Sequence, residues 1–93
     1  MHEIEYELPV AFIKEGGQVV AYTPALDIST SGASEGEARE RFGELVRIFF
    51  ADLVENNAVD AVLSELGWRK NQKSWTPPSV SQQSVSVQVP MFA

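Results

Sequence analysis

Residues 4 to 23 read IEYELPVAFIKEGGQVVAYT and contain the pattern that decides the fold. From Ile4 to Phe12 every even position is apolar, and glutamates take the odd positions at the start of the run. Alternation of this kind is the period of a strand with one buried face. The sequence therefore predicts a first strand from Ile4 to Phe12.

The glycine pair Gly16-Gly17 predicts a two-residue turn that places Glu15 opposite Gln18 and folds residues 19 to 23 back as a second strand. In this register Ala21 faces Phe12 on the core side of the sheet. Four further apolar residues share the other side, and an apolar surface of this kind predicts a homo-oligomer interface: Ala11, Ile13, Val20 and Tyr22.

Beyond Pro24, Leu26, Ile28 and Thr30 alternate with the polar residues Asp27, Ser29 and Ser31 and predict a short third strand. Ser34 and Glu37 have the spacing of a capping box and predict the start of a helix that runs to Glu55. Its apolar stripe, which predicts one face packed on the sheet, consists of Ala38, Phe42, Leu45, Val46, Phe49 and Leu53.

Residues 57 to 78 read as an insertion with a second, shorter helix capped by Asn57 with Asp60 and stopped at Gly67. A turn at Asn71-Gln72 then predicts a hairpin with Trp68 opposite Trp75. Residues 84 to 90 read SVSVQVP, and the alternation of Val85, Val87 and Val89 predicts a last strand that must find an edge to pair with, in its own sheet or in a neighbouring subunit.

The composition bounds the class of protein. The chain has 93 residues, is 44% hydrophobic and 22% charged, and reads as one globular domain over residues 1–93. With Cys 0 it has no disulfide or thiolate chemistry, and a cytoplasmic location is expected. It has no apolar run near the roughly 20 residues of a membrane helix. The net charge of -6 favours a basic partner.

Three segments together resemble a known family. VAFIKEGGQVVAYTPAL at 10–26, SGASEGEA at 31–38 and SVSVQVP at 84–90 are similar, in this order and spacing, to segments of the HicB antitoxin family. The resemblance covers residues 4–55 and the terminal strand. It implies an α+β, partial ribonuclease-H-like core with the order β-β-β-α-β and one main helix on a small antiparallel sheet, here with the inserted helix and hairpin.

The resemblance also implies a function. HicB antitoxins neutralise small basic HicA-type toxins that cleave mRNA, so a HicA-like protein is the expected partner. The family core is not a nuclease, and no catalytic residue, cofactor or metal is expected. Many members add a C-terminal DNA-binding domain, which this chain does not show, so DNA binding is not expected either. Carboxylates would form the toxin-binding surface, and the candidates are Glu3, Glu5, Glu7, Asp27, Glu40 and Glu44.

Other interpretations stay open. Glu3, Glu5 and Glu7 could bind a hard cation, and His2 could be a ligand, although a solvated strand face and an uninvolved terminal residue explain them more simply. Trp68 and Trp75, with Arg69, Lys70 and Lys73 between them, could stack on single-stranded nucleic acid, or the rings could pack on the core. An oligomeric module of this fold without any toxin is the remaining alternative. Ile48 lies off the helix stripe and could join a contact with a partner.

Overall fold

Three antiparallel strands in the order β1-β2-β3 pack against one long helix in a computed structural model that describes residues 5–72 and 74–91. A short second helix and a two-stranded hairpin follow the long helix, so the predicted α+β class is confirmed. The elements are β1 (Ala11–Glu15), β2 (Gln18–Thr23), β3 (Ile28–Gly32), α1 (Glu35–Glu55), α2 (Val59–Glu65), β4 (Arg69–Lys70) and β5 (Trp75–Thr76).

The β1-β2 hairpin has the predicted register, with Glu15 paired to Gln18 and Phe12 to Ala21. Gly16 and Gly17 have φ angles of 53° and 84°, the two positive values that a type I′ turn requires and that glycine adopts without steric cost. The turn twists in the sense of the strands it joins. Local sequence is therefore sufficient to set this hairpin.

The predicted start of the first strand at Ile4 is wrong for the described residues, since β1 begins at Ala11. Residues 5–10 are extended but have no partner strand, and Pro9 lacks the N–H that a ladder needs. Tyr6 and Leu8 nevertheless pack against the core, while Glu5 and Glu7 are exposed. The alternation thus tracks burial of side chains and not pairing of strands. Ile4 lies outside the described residues.

The third strand starts at Ile28 and not at Leu26. Leu26 is buried in the preceding turn, and Asp27 adopts a left-handed conformation with φ 55° that ends the turn. A residue with positive φ cannot continue a strand, so the apolar alternation crosses a turn before the ladder begins.

Helix α1 begins and ends at the predicted residues. Ser34 Oγ accepts from the Glu37 amide at 3.1 Å, and the Glu37 carboxylate accepts from the Ala33 amide at 2.9 Å, which completes the capping box. At the other end the Ala58 amide donates to Leu53 O at 2.8 Å and the Asn57 amide donates to Val54 O at 3.2 Å. These two bonds are a Schellman motif.

Asn57 therefore ends the first helix and does not cap the second, which corrects the predicted role. It has φ 57°, the left-handed value of the residue after a helix C-cap. Ala58 is the N-cap of α2 and makes no side-chain cap bond. Gly67, with φ 90°, stops α2 as predicted, and the Trp68 amide closes a second Schellman motif on Leu63 O at 2.9 Å.

The small hairpin has a different register from the predicted one. Lys70 pairs with Trp75 and Arg69 with Thr76, so the two tryptophans do not face each other. The Asn71 amide donates to Ser74 O at 2.8 Å, which continues this register and moves the turn one residue beyond the predicted Asn71-Gln72. Asn-Gln lacks the glycine that a tight primed turn prefers. Lys73, within this loop, lies outside the described residues.

The predicted last strand is also wrong for the single chain. Residues 77–91 contain no strand, and the side chains of Val85, Val87 and Val89 are 73%, 73% and 65% exposed. The segment leaves the body of the molecule, whose Cα radius of gyration of 16.1 Å exceeds the roughly 12 Å of a compact chain of this length.

The core has two apolar clusters, one under each end of α1. The first joins Val19 and Ala21 of the sheet to Ala38 and Phe42. The second joins the β2-β3 turn to the end of α1 and to the insertion, and its buried members are Ala25, Leu26, Leu53, Leu63 and Trp68. Leu8 and Val46 contact both clusters. The insertion therefore belongs to the core and is not an appendage.

Candidate functional site: the outer face of the long helix

Helix α1 divides its residues between the sheet and solvent. Ala38, Phe42 and Leu53 are buried against the sheet and the insertion, and these positions define the inner face of the helix. Glu40 and Glu44, two of the predicted partner-binding residues, lie on the opposite face and are exposed. The amphipathic period thus puts carboxylates where a partner can reach them.

Four residues at four-residue steps form one ridge on this outer face, because side chains four apart are neighbours on a helix. We call this set, Glu40, Glu44, Ile48 and Asp52, the acidic ridge. Ile48 is 66% exposed in the middle of it. An apolar side chain between carboxylates has the composition of a small protein interface, which has an apolar centre and a polar rim.

Within the part of the chain that the structure describes, Glu40 and Glu44 of the acidic ridge lack the ion pairs that the carboxylates of the first helix turns make. Glu35 pairs with Arg39 at 3.7 Å and Glu37 with Arg41 at 3.6 Å. Neither Glu40 nor Glu44 makes an ion pair with any residue in the described ranges. These two carboxylates therefore keep their full charge for an external cation.

The other predicted acidic residues lie elsewhere. Glu5 and Glu7 project from the extended segment before β1, and Glu3 lies outside the described residues. Asp27 sits in the β2-β3 turn, where its carboxylate accepts a hydrogen bond of 3.0 Å from the Tyr22 hydroxyl. Tyr22 is on the sheet face away from α1, so the structure separates Asp27 from the acidic ridge.

The hydrogen bond between Tyr22 and Asp27 has an electrostatic consequence. The bond itself, partial desolvation and the nearby negative charge all raise the pKa of the Tyr22 hydroxyl above its ordinary value near 10. All three favour the neutral phenol, which donates the bond. Asp27 therefore has a structural role in the turn in addition to any contact with a partner.

The open face of the sheet carries the predicted apolar group as expected from the register. Ala11 pairs with Tyr22 and Ile13 with Val20, all on the side away from α1. Ile13 is exposed and the other three are half-buried. Ser29 and Ser31 of β3 complete this face opposite Tyr22 and Val20. The apolar part is thus limited to β1 and β2.

The tryptophans of the hairpin do not form an exposed pair. Trp68 is buried, its indole Nε1 donates to Ala25 O at 2.8 Å, and its ring packs edge-on to Tyr6 and Phe50. Trp75 is half-buried, with Lys70 Nζ 5.7 Å from the centre of its ring. Core packing of Trp68 leaves only Trp75 with an accessible ring for stacking.

An apolar groove lies beside α1 and was not predicted from the sequence. It has a cavity volume of about 480 Å³. Its lining comprises Tyr6, Leu8, Gly43, Val46, Arg47, Phe50, Val54, Val59, Leu63 and Trp75. The spacing of Gly43, Arg47, Phe50 and Val54 indicates the helix wall of the groove, since this row lies next to the main stripe, but no sequence signal gives the wall formed by the insertion.

Within residues 5–72 and 74–91 no three His, Asp or Glu side chains lie close enough to hold a metal ion. His2 and Glu3 are not described. Neither helix of the described chain is long and apolar enough to cross a bilayer.

Comparisons with protein-family models, curated proteins and solved structures found no match to this chain.

Proposed function

We propose that the chain is a non-catalytic protein-binding module that neutralises a small basic partner, and that the partner is a HicA-like toxin that cleaves mRNA. The observation that carries the proposal is the acidic ridge, with its two unpaired carboxylates beside an exposed isoleucine. The HicB resemblance of the sequence supplies the class of partner.

The chemistry of the ridge suits a basic protein. A toxin that cleaves RNA must present positive charge to phosphate, and a carboxylate surface competes for the same charge. Glu40 and Glu44 would steer the partner and pair with it, while Ile48 would be desolvated at the centre of the contact. Charged rims mainly set association rate and specificity, and the buried apolar contact slows dissociation.

The partner of the ridge is expected to be genetically linked, as the resemblance implies. The test uses the short basic protein encoded next to this gene, purified with its histidine replaced so that it can be produced without toxicity. Titration calorimetry with the wild-type chain should detect binding that weakens as salt is raised.

The decisive variant is the double replacement Glu40→Gln and Glu44→Gln, which removes two charges at nearly constant volume. We expect its affinity to fall about tenfold or more at low salt, and its salt dependence to flatten. Glu35→Gln is the matched control, because Glu35 is exposed on the same helix but already pairs with Arg39. Equal affinity of the double variant and the control would remove the acidic ridge from the function.

The exposed isoleucine needs a separate test. Ile48→Ala should raise the dissociation rate with little effect on the association rate, because it removes apolar contact and no charge. If no basic partner binds and the neighbouring gene encodes none, the antitoxin role is refuted, and an oligomeric module without a toxin becomes the better description.

A further inference from the structure

Residues 84–91 carry no charge, form neither helix nor strand, and have no hydrogen-bonded partner among the described residues of their own chain. Val85, Val87 and Val89 would share one side of a strand by simple alternation, and most of their surface is exposed. None of the backbone hydrogen bonds of the described residues involves this segment. An alternating, apolar strand sequence in this state is a template for addition to a sheet edge.

The sheet has two edge strands, β1 and β3. Glu15 and Gln18 flank the two-residue turn as a hydrogen-bonded pair, so Phe12 and Lys14, which alternate with such pairs, direct their backbone N–H and C=O groups outward from β1. On the far side of the sheet, Arg41 Nη1 donates to Ser31 O at 3.0 Å and covers the β3 edge with a charged side chain. The β1 edge is therefore the more accessible of the two.

The apolar groove lies on the β1 side of α1. Tyr6 and Leu8 stand on the chain that leads into β1, and Arg39 lies over the Phe12 ring at 5.0 Å on the same flank of the helix. The groove begins at Gly43, one helix turn beyond Arg39, so a strand added at this edge would reach the groove where it runs on past Ala11 toward Leu8.

The length of the groove along α1 matches the length of the valine segment. From Gly43 to Val54 the helix flank rises about 16 Å at 1.5 Å per residue, and from Val85 to Val89 a strand extends about 13 Å. The segment carries no charged side chain, and Arg47 is the one charged residue that lines the groove. The three valines thus bring no charge of their own into the groove, and Arg47 at its margin is exposed and can keep its charge in solvent.

The segment starts on the wrong side of its own sheet for this groove. Val80 and Gln82 lie beside Ala11 and Tyr22, on the open face, and the chain then continues away from the body. We propose that residues 84–91 of one copy add along the β1 edge of a second copy, with Val85, Val87 and Val89 in the apolar groove of that copy, and that the exchange is reciprocal. Two identical contacts related by a two-fold axis form a closed dimer.

The test measures the mass of the full chain by sedimentation equilibrium. The wild type should be a dimer at micromolar concentration. Val87→Asp should weaken the dimer at least about tenfold, and Gln88→Asp, which places the same charge on the other side of the segment, should change it much less. On the groove side, Val54→Asp should have the effect of Val87→Asp. Ile48→Asp is its control, because Val54 and Ile48 are 68% and 66% exposed on different flanks of one helix.

Cross-linking distinguishes exchange from folding back within one chain. The protein has no cysteine, so a mixture of Val54→Cys and Val87→Cys chains can form a disulfide between the segment and the groove only across two molecules. Covalent dimers carrying one copy of each variant, beyond the level given by Val54→Cys mixed with Gln88→Cys, support the exchange.

Three results would overturn the proposal. The first is a monomeric wild type. The second is a dimer that resists both Val87→Asp and Val54→Asp. The third is a dimer that dissociates with Ile13→Asp alone, which would place the contact on the open sheet face. Val87→Asp, Val54→Asp and Ile13→Asp lie outside the acidic ridge, so failure of the dimer and failure of partner binding are read separately. Ile48→Asp, which lies in the ridge, serves only as a control for the mass measurement.

Discussion

Replacement of Trp68 by phenylalanine tests whether the insertion is held to the core by one buried hydrogen bond. The indole Nε1 donates to Ala25 O across 43 positions of sequence at 2.8 Å, and both residues are buried. No other donor among the described residues reaches this carbonyl. Phenylalanine keeps an aromatic ring in the site but removes the donor.

The expected cost has two parts. A buried acceptor left without a partner costs about 1 to 3 kcal/mol, and the smaller ring forfeits about 1 kcal/mol of apolar burial. We therefore expect Trp68→Phe to lower the free energy of unfolding by about 2 to 4 kcal/mol, a large share of the about 5 to 14 kcal/mol of a domain this size.

Urea denaturation followed by far-ultraviolet circular dichroism measures this change, and the midpoint should fall by at least about 1 M. Trp75→Phe is the matched control, since Trp75 is half-buried and its indole makes no hydrogen bond with the described residues. It should cost less than about 1 kcal/mol. A Trp68→Phe midpoint within error of the control would show that the bond does not hold the insertion in place.

Three further predictions concern the sheet, the turn and the helix start. Gly32→Ala should destabilise the protein by about 1 to 3 kcal/mol, because the new Cβ would lie 2.7 Å from the Ala38 backbone nitrogen. Gly43→Ala is the control and should stabilise the helix by up to about 1 kcal/mol, because there is open space around Gly43. Equal urea midpoints for the two variants would contradict the close approach at Gly32. Because the pKa of Tyr22 is raised, its hydrogen bond supports folding below the ordinary tyrosine pKa and is lost as the pH rises through the higher folded value. Absorbance titration should show that Asp27→Asn lowers the pKa of Tyr22, and an unchanged titration would disprove the coupling. Ser34→Ala should lower the free energy of unfolding by about 1 kcal/mol in urea denaturation, because the helix loses its cap. An unchanged free energy would mean that the bond from the Ala33 amide to the Glu37 carboxylate is enough to hold the start of the helix.

Sequence predicted those parts of the fold that are set by neighbouring residues. The glycine pair Gly16-Gly17 determines the turn and hence the strand register, and Ser34 with Glu37 determines where the long helix begins. The outer helix position of Glu40 and Glu44 follows from the same period. These signals need no knowledge of distant contacts.

The predictions from sequence are wrong where contacts between residues distant in sequence determine the local structure. Residues 5–10 alternate like a strand, but no strand lies beside them, and only tertiary packing of Tyr6 and Leu8 explains the pattern. The sequence predicts Asn57 as a cap of the second helix because its side chain can accept a hydrogen bond, whereas its left-handed backbone ends the first helix. The apolar groove depends on the placement of the insertion against α1, which periodicity alone does not provide.

The segment before β1 is anchored by side chains without a ladder of its own. Tyr6 contacts one apolar cluster and Leu8 contacts both, while no backbone hydrogen bond between described residues involves positions 5 to 8. Amide protons there should exchange with deuterium quickly even though the side chains of Tyr6 and Leu8 pack against the core. Removal of this short stretch would take contacts away from both apolar clusters at once. We therefore expect these few residues to have a large effect on how cooperatively the whole domain unfolds.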